Sequence, residues 1–366
     1  MRSRALMLTL LAILCTVSPV AAARTYSGEQ TLWQDTVWQD DVLIDGVLTV
    51  APGVTLEIRP GTTVRFTFRD SNGDGIGENE ILSQGILNAL GTIEKPILFT
   101  SSMKNPQPGA WGAVNMLMSE VENILQYTIF EYGYRGFHAH FAKATISDSI
   151  FRNNLRGLQF QESTVTVERC QIKDNRNGMQ FRNSVVLLRD SVISGSYWGI
   201  RGVYNELTLS GCRIENNRIN GVNLRDSSLK ASDNHIVGNR KGLYLQRSQV
   251  NLYGNSFIDN SEHGLYLEES SGTVNANQIS GNGRAGLRTL NFSGEITGNV
   301  IINNGEYALQ NDGKDALSAS GNWWGTTDVD QITALIRDDR DRPGLGPVDA
   351  SEPLKNEPAW FRDYYP

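Results

Sequence analysis

The residues best able to meet a ligand recur at intervals of 21 or 22: His138, Gln159, Gln180, Arg201, Asn223, Tyr244, Tyr266, Arg288 and Gln310. Most stand between two apolar residues, as Gln180 does between Met179 and Phe181. In an extended chain such a residue points away from the core its neighbours enter. Amide, guanidinium and phenol groups in one row suit the hydroxyls and carboxylates of sugars. Gln159, Gln180, Arg201, Asn223, Tyr244, Tyr266 and Arg288 are therefore the candidate ligand-binding residues. An outward strand position is also polar simply because it meets water, and that alternative stands beside the first.

A second stretch, Asp70-Ser71-Asn72-Gly73-Asp74-Gly75-Ile76-Gly77-Glu78-Asn79-Glu80, alternates oxygen ligands before a glycine. Asp70, Asn72 and Asp74 match the first half of a calcium loop. The second half departs from the pattern, because Ile81 stands where a bidentate glutamate belongs and no helical pattern flanks the loop. Glu78 or Glu80 would supply the missing carboxylate. The expectation is a Ca2+ site built from Asp70, Asn72, Asp74, Glu78 and Glu80, with a hydrogen-bonded Asp-Gly turn as the alternative. No organic cofactor is called for.

Catalysis finds less support. Glycoside hydrolysis needs two carboxylates at a controlled separation, and the outward row holds neither Asp nor Glu. A lyase would need acidic calcium ligands beside a basic residue, yet Glu268 and Glu269 stand without another carboxylate column. No catalytic residue is assigned. His138 and His140 share one strand face, but Met is sparse and His235 and His263 fall elsewhere, a poor supply of transition-metal ligands.

The elements that hold the row are read from the same period. One column runs Ser149, Cys170, Ser191, Cys212, Asn234, Asn255, Asn277, Asn299 and, after a longer gap, Asn322. A second, five residues on, runs Asn154, Asn175, Ser196, Asn217, Asn239, Asn260, Asn282, Asn304. A third is glycine from Gly136 to Gly286 and Ala at Ala308, each followed by an apolar residue. A period this short, with alternating strands and no helical run, specifies a β-solenoid. Asn and Gly accept the left-handed backbone of sharp bends, so the Asn columns are expected at corners, stacked in ladders. Cys170 and Cys212 share a column two coils apart, about 9.6 Å at the strand spacing. They are expected as free thiols, beyond disulfide reach.

The rhythm Asn-x-x-Ile-x-x-Asn-x-x-x-Gly-Leu resembles that of bacterial right-handed parallel β-helix proteins, the broad group of carbohydrate-binding and sugar-hydrolysing β-helices. Pro96-Ile97-Leu98-Phe99-Thr100-Ser101, Pro108-Gly109-Ala110-Trp111-Gly112 and Gly321-Asn322-Trp323-Trp324-Gly325-Thr326 look like the entry and exit segments of secreted members. The resemblance covers nearly all of the mature chain and implies a pectin lyase-like fold. It implies no single activity, because this scaffold hosts lyases, hydrolases, epimerases, adhesins and non-catalytic proteins. It includes periplasmic β-helix proteins implicated in copper delivery, which would call for His and Met ligands.

Arg2 and Arg4 precede an apolar run and Ala21-Ala22-Ala23, the pattern of a secretory signal peptide over residues 1–23. The expected organisation continues with an N-terminal cap at 24–40 and a parallel β-helix at 41–325, regular over 123–313, with three short strands per coil. A capping helix and irregular tail at 326–366 close an all-β rod of about 10 to 12 coils. The mature chain is expected to be exported, periplasmic or extracellular, with no integral membrane segment. Net charge is −7, yet Tyr134 to Arg247 carries 17 Lys and Arg against 9 Asp and Glu, a local excess of +8. A solvated basic face is one reading and an anionic partner the other. Nucleic acid is not expected, for want of a recognition motif. The most economical function is non-catalytic binding of an anionic polysaccharide or cell-envelope component. A polysaccharide lyase, hydrolase or epimerase is the alternative, and a structural or adhesive surface protein the third reading.

Overall fold

The computed structural model describes residues 23–364, so the expected signal peptide lies outside the described residues apart from its last position. Each turn of the chain is three short strands. In a central coil, Thr164–Glu168 leads to Gln171–Lys173 and then to Asn177–Arg182. Each pairs in parallel with its copy in the next coil, Thr164 with Val185, Gln171 with Val192 and Asn177 with Trp198. About 13 turns stack into a right-handed all-β solenoid. That is slightly more than the period predicts, because segments expected as cap and tail complete rungs of their own.

Alternation decides which side chains fill the rod. Val165 and Val167, Ile172, and Leu158 and Phe160 are all buried, while their strand neighbours face outward. Like residues then stack at the rung spacing: Phe99 on Phe130 with ring centroids 4.3 Å apart, and Phe130 on Phe151 at 4.9 Å. Burial of these columns is the main favourable term, at roughly 1.5–3 kcal/mol for each large side chain. Cys170 and Cys212 are buried members of such a column and both thiols are free.

The corners are where expected, but the left-handed residue is not the asparagine. It is the residue before it: Asp148, Arg169, Asp190, Asp233 and Ala276 in one column, and Asn153, Asp174, Asn216 and Asp259 in the next, all have φ between 51° and 56°. The asparagine turns inward and bonds to its copies. Asn277 Nδ2 donates to Asn299 Oδ1 at 3.0 Å, to the Leu252 carbonyl and to the Asn275 carbonyl, while its Oδ1 accepts from Asn255. The glycine column has a different cause as well. Gly178 is not left-handed, and a Cβ there would meet the Gly199 carbonyl oxygen at 2.6 Å. The glycines exist for close approach between coils.

At the N-terminal end the expected cap is itself the first rung. Arg24–Leu32 pairs in register with Val42–Val50, and Thr36–Trp38 pairs with the strand Thr55–Ile58. Trp38 is buried and donates its indole N–H to the Tyr26 hydroxyl, whereas Trp33 is 76% exposed and covers nothing. At the other end a helix, Val329–Ala334, is capped by Asp328, which accepts the Gln331 amide. Only Ile332 of that helix is buried. Ile336–Arg337 then joins the sheet under Leu309 and Gln310, and Val348–Asp349 adds a rung beside Leu317–Ser318. These two short strands close the rod with backbone hydrogen bonds.

Candidate ligand-binding face

The third strand of each coil is the longest, and its middle outward position forms the row read from the sequence. His138 pairs with Gln159, Gln159 with Gln180, Gln180 with Arg201, Arg201 with Asn223, Asn223 with Tyr244, Tyr244 with Tyr266, Tyr266 with Arg288 and Arg288 with Gln310. Asn115 precedes the row and Arg337 extends it by one rung. All seven candidate ligand-binding residues thus lie on one face. The period of the apolar neighbours leaves no other register.

Several basic residues elsewhere in the basic stretch are tied up in ion pairs, which reduces the free charge away from this face. Arg152 is held by Glu131, Arg169 by Asp148 and Glu168, Arg189 by Glu168, Arg213 by Glu215, Arg240 by Glu262 and Arg247 by Asp226. Among the described residues Arg182 and Arg201 have no carboxylate partner. Arg201 instead lies over the Trp198 ring, 4.8 Å from its centroid. Gln159 is not free for a ligand in the same way, since Arg135 and Arg156 both donate to its Oε1, at 3.1 and 2.8 Å.

Between Gln180 and Tyr244 the face is indented by a cleft of ≈ 330 Å³, lined by Gln180, Arg182, Arg201, Asn223, Arg225, Tyr244 and Gln246 together with Phe181, Gly202 and Val203. Tyr244 and Tyr266 do not lie flat along the rod. Their rings are parallel to within 18° with centroids 4.9 Å apart, one rung's spacing, so they stack on each other. The other side of Tyr266 is taken by the Arg288 guanidinium at 4.5 Å. Tyr244 is left as the end wall of the cleft, with one ring face toward Asn223. Its hydroxyl donates to Glu268 Oε2 at 2.6 Å, and Gln246 Nε2 donates to Glu268 Oε1 at 2.9 Å. Burial, then the hydrogen bond to Glu268, hold the Tyr244 phenol well above its ordinary pKa. Arg182, Arg225 and Gln246 were missed in the sequence, and Glu268 was weighed there only as an acid for a lyase, although each stands two residues after a row member and so on the same face.

At the N-terminal end of the face Glu80 Oε2 accepts from Asn115 Nδ2 at 2.6 Å, and Asn115 Oδ1 lies 2.9 Å from His138 Nδ1. Because the Asn115 amide nitrogen is committed to Glu80, its oxygen must accept and His138 carries its proton on Nδ1. Nε2 is then a lone pair, buried and without a partner among the described residues. Burial, then the Arg135 charge, lower the His138 pKa to about 3. Burial likewise pushes the Glu80 carboxyl up.

The calcium loop forms around its own backbone. Asp70 Oδ1 accepts from Gly73 N and Asp74 N and its Oδ2 from Gly75 N, Asn72 Oδ1 accepts from Asp74 N, and Asp74 Oδ1 from Ile76 N. Glu78 turns to the Ser71 amide and hydroxyl, which hold its carboxyl below the ordinary range. Glu80 leaves the loop altogether, drawn to Asn115 by the strand it begins. Glu80 therefore stands apart from the other four expected ligands, and among the described residues no three of His, Cys, Asp and Glu are grouped to hold a metal.

A model of a family described as "Periplasmic copper-binding protein (NosD)" matches residues 183–335, one of a right-handed β-helix region matches 111–245, and one of a pectate-lyase-like β-helix domain matches 28–128. No curated protein matches the chain. Among solved structures the chain is similar to the periplasmic alginate epimerase AlgG, at 16% identity and a TM-score of 0.54, over 86% of this chain and 76% of that one. It is also similar to the Dettilon tailspike protein, at 11% identity and a TM-score of 0.38, over 86% and 60% of the two chains. At 16% identity the likeness to the epimerase is one of fold. No helix among the described residues is long and apolar enough to cross a membrane.

The residues present do not fit a copper centre. Within 183–335 the imidazoles and thiols are His235, His263 and Cys212, and there is no Met. His263 is buried and its Nδ1 accepts the Ala285 amide, while the Cys212 thiol is turned to the Ser210 carbonyl and pushed up to about 11 by burial. A soft-metal site needs several such ligands facing one point.

Proposed function

We propose that this chain, a right-handed parallel β-helix repeat protein, is an exported binding protein for an anionic polysaccharide, held in the cleft between Gln180 and Tyr244. The observation that carries the reading is the cleft itself: two arginines without carboxylate partners stand beside amides and one free aromatic face. Unpaired guanidinium groups recognise carboxylates with two parallel hydrogen bonds, and an aromatic ring takes the apolar face of a sugar. Charge brings the chain in and the ring holds it when salt screens the charge. The test is binding of acidic glycans, such as polyuronates, to the parent and to Arg201→Ala with Tyr244→Ala. The double variant is expected to lose about tenfold or more in affinity, roughly 1.4 kcal/mol or above. Equal binding by both proteins would remove the cleft from consideration and leave a structural or adhesive role.

Catalysis on the same glycan is a second reading, favoured by the Glu80–Asn115–His138 chain beside Arg135. It is the weaker one, because the free lone pair of His138 is shielded from solvent. An unsaturated-product and epimer assay on the parent and on His138→Gln decides it, and activity in the parent that His138→Gln abolishes would establish it.

A further inference from the structure

The row does not end in open solvent. Beyond Gln310 its next member is Arg337, supplied by the segment after the capping helix. A cavity of ≈ 530 Å³ opens there between the last coils and the loop that follows, lined among others by Arg284, Arg288, Tyr307, Asp312, Arg337 and Arg342. Leu345 of the same loop forms part of its wall.

Four arginines meet only two carboxylates in this cavity. Arg284 is matched by Glu306, at 3.0 Å. Asp312 is shared: its Oδ2 accepts from Arg288 Nε at 2.8 Å, its Oδ1 from Arg337, and Gln310 Nε2 donates to both oxygens. One carboxylate therefore serves two guanidinium groups and its lone pairs are spent. Arg342 is exposed and has no carboxylate partner among the described residues. The cavity keeps a net positive charge, with guanidinium N–H groups that lack protein acceptors. Arg288 is also held in place, pinned to Asp312 on one side and to the Tyr266 ring on the other.

We propose that this cavity is a second oxyanion subsite, which takes a sugar carboxylate of the same chain that enters the cleft. The inference rests on the proposed polysaccharide reading and deepens it. Asn223 in the cleft and Arg337 in the cavity lie five rungs apart along the row, about 24 Å, with Tyr244, Tyr266, Arg288 and Gln310 between them. At about one sugar per rung a chain of roughly five or more units spans both. The loop carrying Arg342 and Leu345 stands over the far end, so the cavity receives the end of a chain lying along the face. Two weak sites joined by one ligand act as an intramolecular pair, and affinity then depends on ligand length in a step.

The test titrates the full chain with oligogalacturonates from about two to about eight units at low ionic strength. Affinity is expected to rise about tenfold or more once the oligomer is long enough to span the five rungs. Arg337→Gln with Arg342→Ala is expected to erase that step. Arg342→Ala alone is expected to shrink it with the melting temperature unchanged, since that side chain has no protein partner to lose. A step that survives both variants, or short oligomers that bind with no step at greater length, overturns the subsite and leaves the cleft standing. Short oligomers that bind Arg201→Ala with Tyr244→Ala as tightly as the parent overturn the cleft, and a step still dependent on Arg337 and Arg342 then supports the cavity alone. No binding at any length overturns both.

Discussion

Tyr244 lies against Tyr266 ring on ring, 4.9 Å apart, and this contact decides which face of which tyrosine a ligand can reach. Outward position alone would offer both rings to a sugar. The stack, continued by Arg288 on the far side of Tyr266, leaves only the Tyr244 face toward Asn223 open. Substitutions at the two positions should therefore differ. Tyr244→Ala is expected to cost about tenfold in affinity for an acidic glycan, the lower range of an aromatic contact plus its burial. Tyr266→Ala removes only the support behind that ring and is expected to cost about threefold or less. Binding titrations on the two variants check this, and equal losses would mean that the stack opens on binding.

The loop at Asp70 yields a prediction about stability. Three backbone N–H groups converge on this one carboxylate, so Asp70→Ala should destabilise the chain by about 1–3 kcal/mol. The loss is expected in chelator as well as in calcium, because the acceptors are amides of the loop itself. Thermal melts of parent and variant under both conditions read it out. A parent whose melting temperature climbs with calcium, and a variant that differs from it only when calcium is present, would restore Asp70, Asn72, Asp74 and Glu78 as ligands.

Acid should unfold the protein earlier than its carboxylates alone require. His138 has its pKa lowered to about 3 and His263 to about 4, in both cases first by burial and then by a neighbouring arginine, Arg135 and Arg288 respectively. The unfolded chain titrates these groups near 6.5 and so binds more protons than the folded one between the two values. Stability is therefore full above pH 6.5 and falls as pH drops toward 4, by up to about 1.4 kcal/mol per pH unit for each histidine. His138→Gln places in the row the residue found at Gln159 and Gln180, and should flatten the slope. Denaturant melts between those pH values measure it, and an unchanged slope would show that His138 takes up its proton without unfolding.

Much of this was legible in the chain because solenoid packing is periodic. Val165 and Val167 fix the pleat of one strand and Leu158 and Phe160 that of another, and once the inward columns are aligned the row from His138 to Gln310 has one register. One column that keeps the period was missed all the same, and so were contacts that no period encodes. The third corner is a ladder from Ser163 through Ser184, Asn205, Ser227 and Ser248 to Ser270, each side-chain oxygen accepting the amide of the coil before. Serine is too common at outward strand positions to announce it. The bond from Asn115 to Glu80 crosses 35 residues in the least regular coils, where no column predicts a neighbour. Ring orientation at Tyr244 follows from a rotamer that its stacked neighbour selects, and spacing carries no information about it.

Charge on this rod separates into pairs that hold the fold and groups that face a ligand, and salt tells them apart. Arg189 is tied to Glu168, whereas Arg201 rests on Trp198 with no carboxylate nearby. Both are exposed arginines of one coil in the basic stretch, on its first and third strands, so a general attraction by the +8 excess would weigh them alike. If the cleft is the site, Arg201→Ala should weaken binding of an acidic glycan about fivefold at about 10 mM salt, where charges act over about 30 Å, and hardly at all near 1 M, where they act over about 3 Å. Arg189→Ala should change affinity by less than about twofold at either salt, since its charge is already cancelled. Matched titrations of the two variants across that range separate the cases. Equal losses at low salt would assign the attraction to the rod as a whole, and a loss at Arg201 undiminished near 1 M would mean that its guanidinium is buried by the ligand in a hydrogen-bonded pair that salt cannot screen.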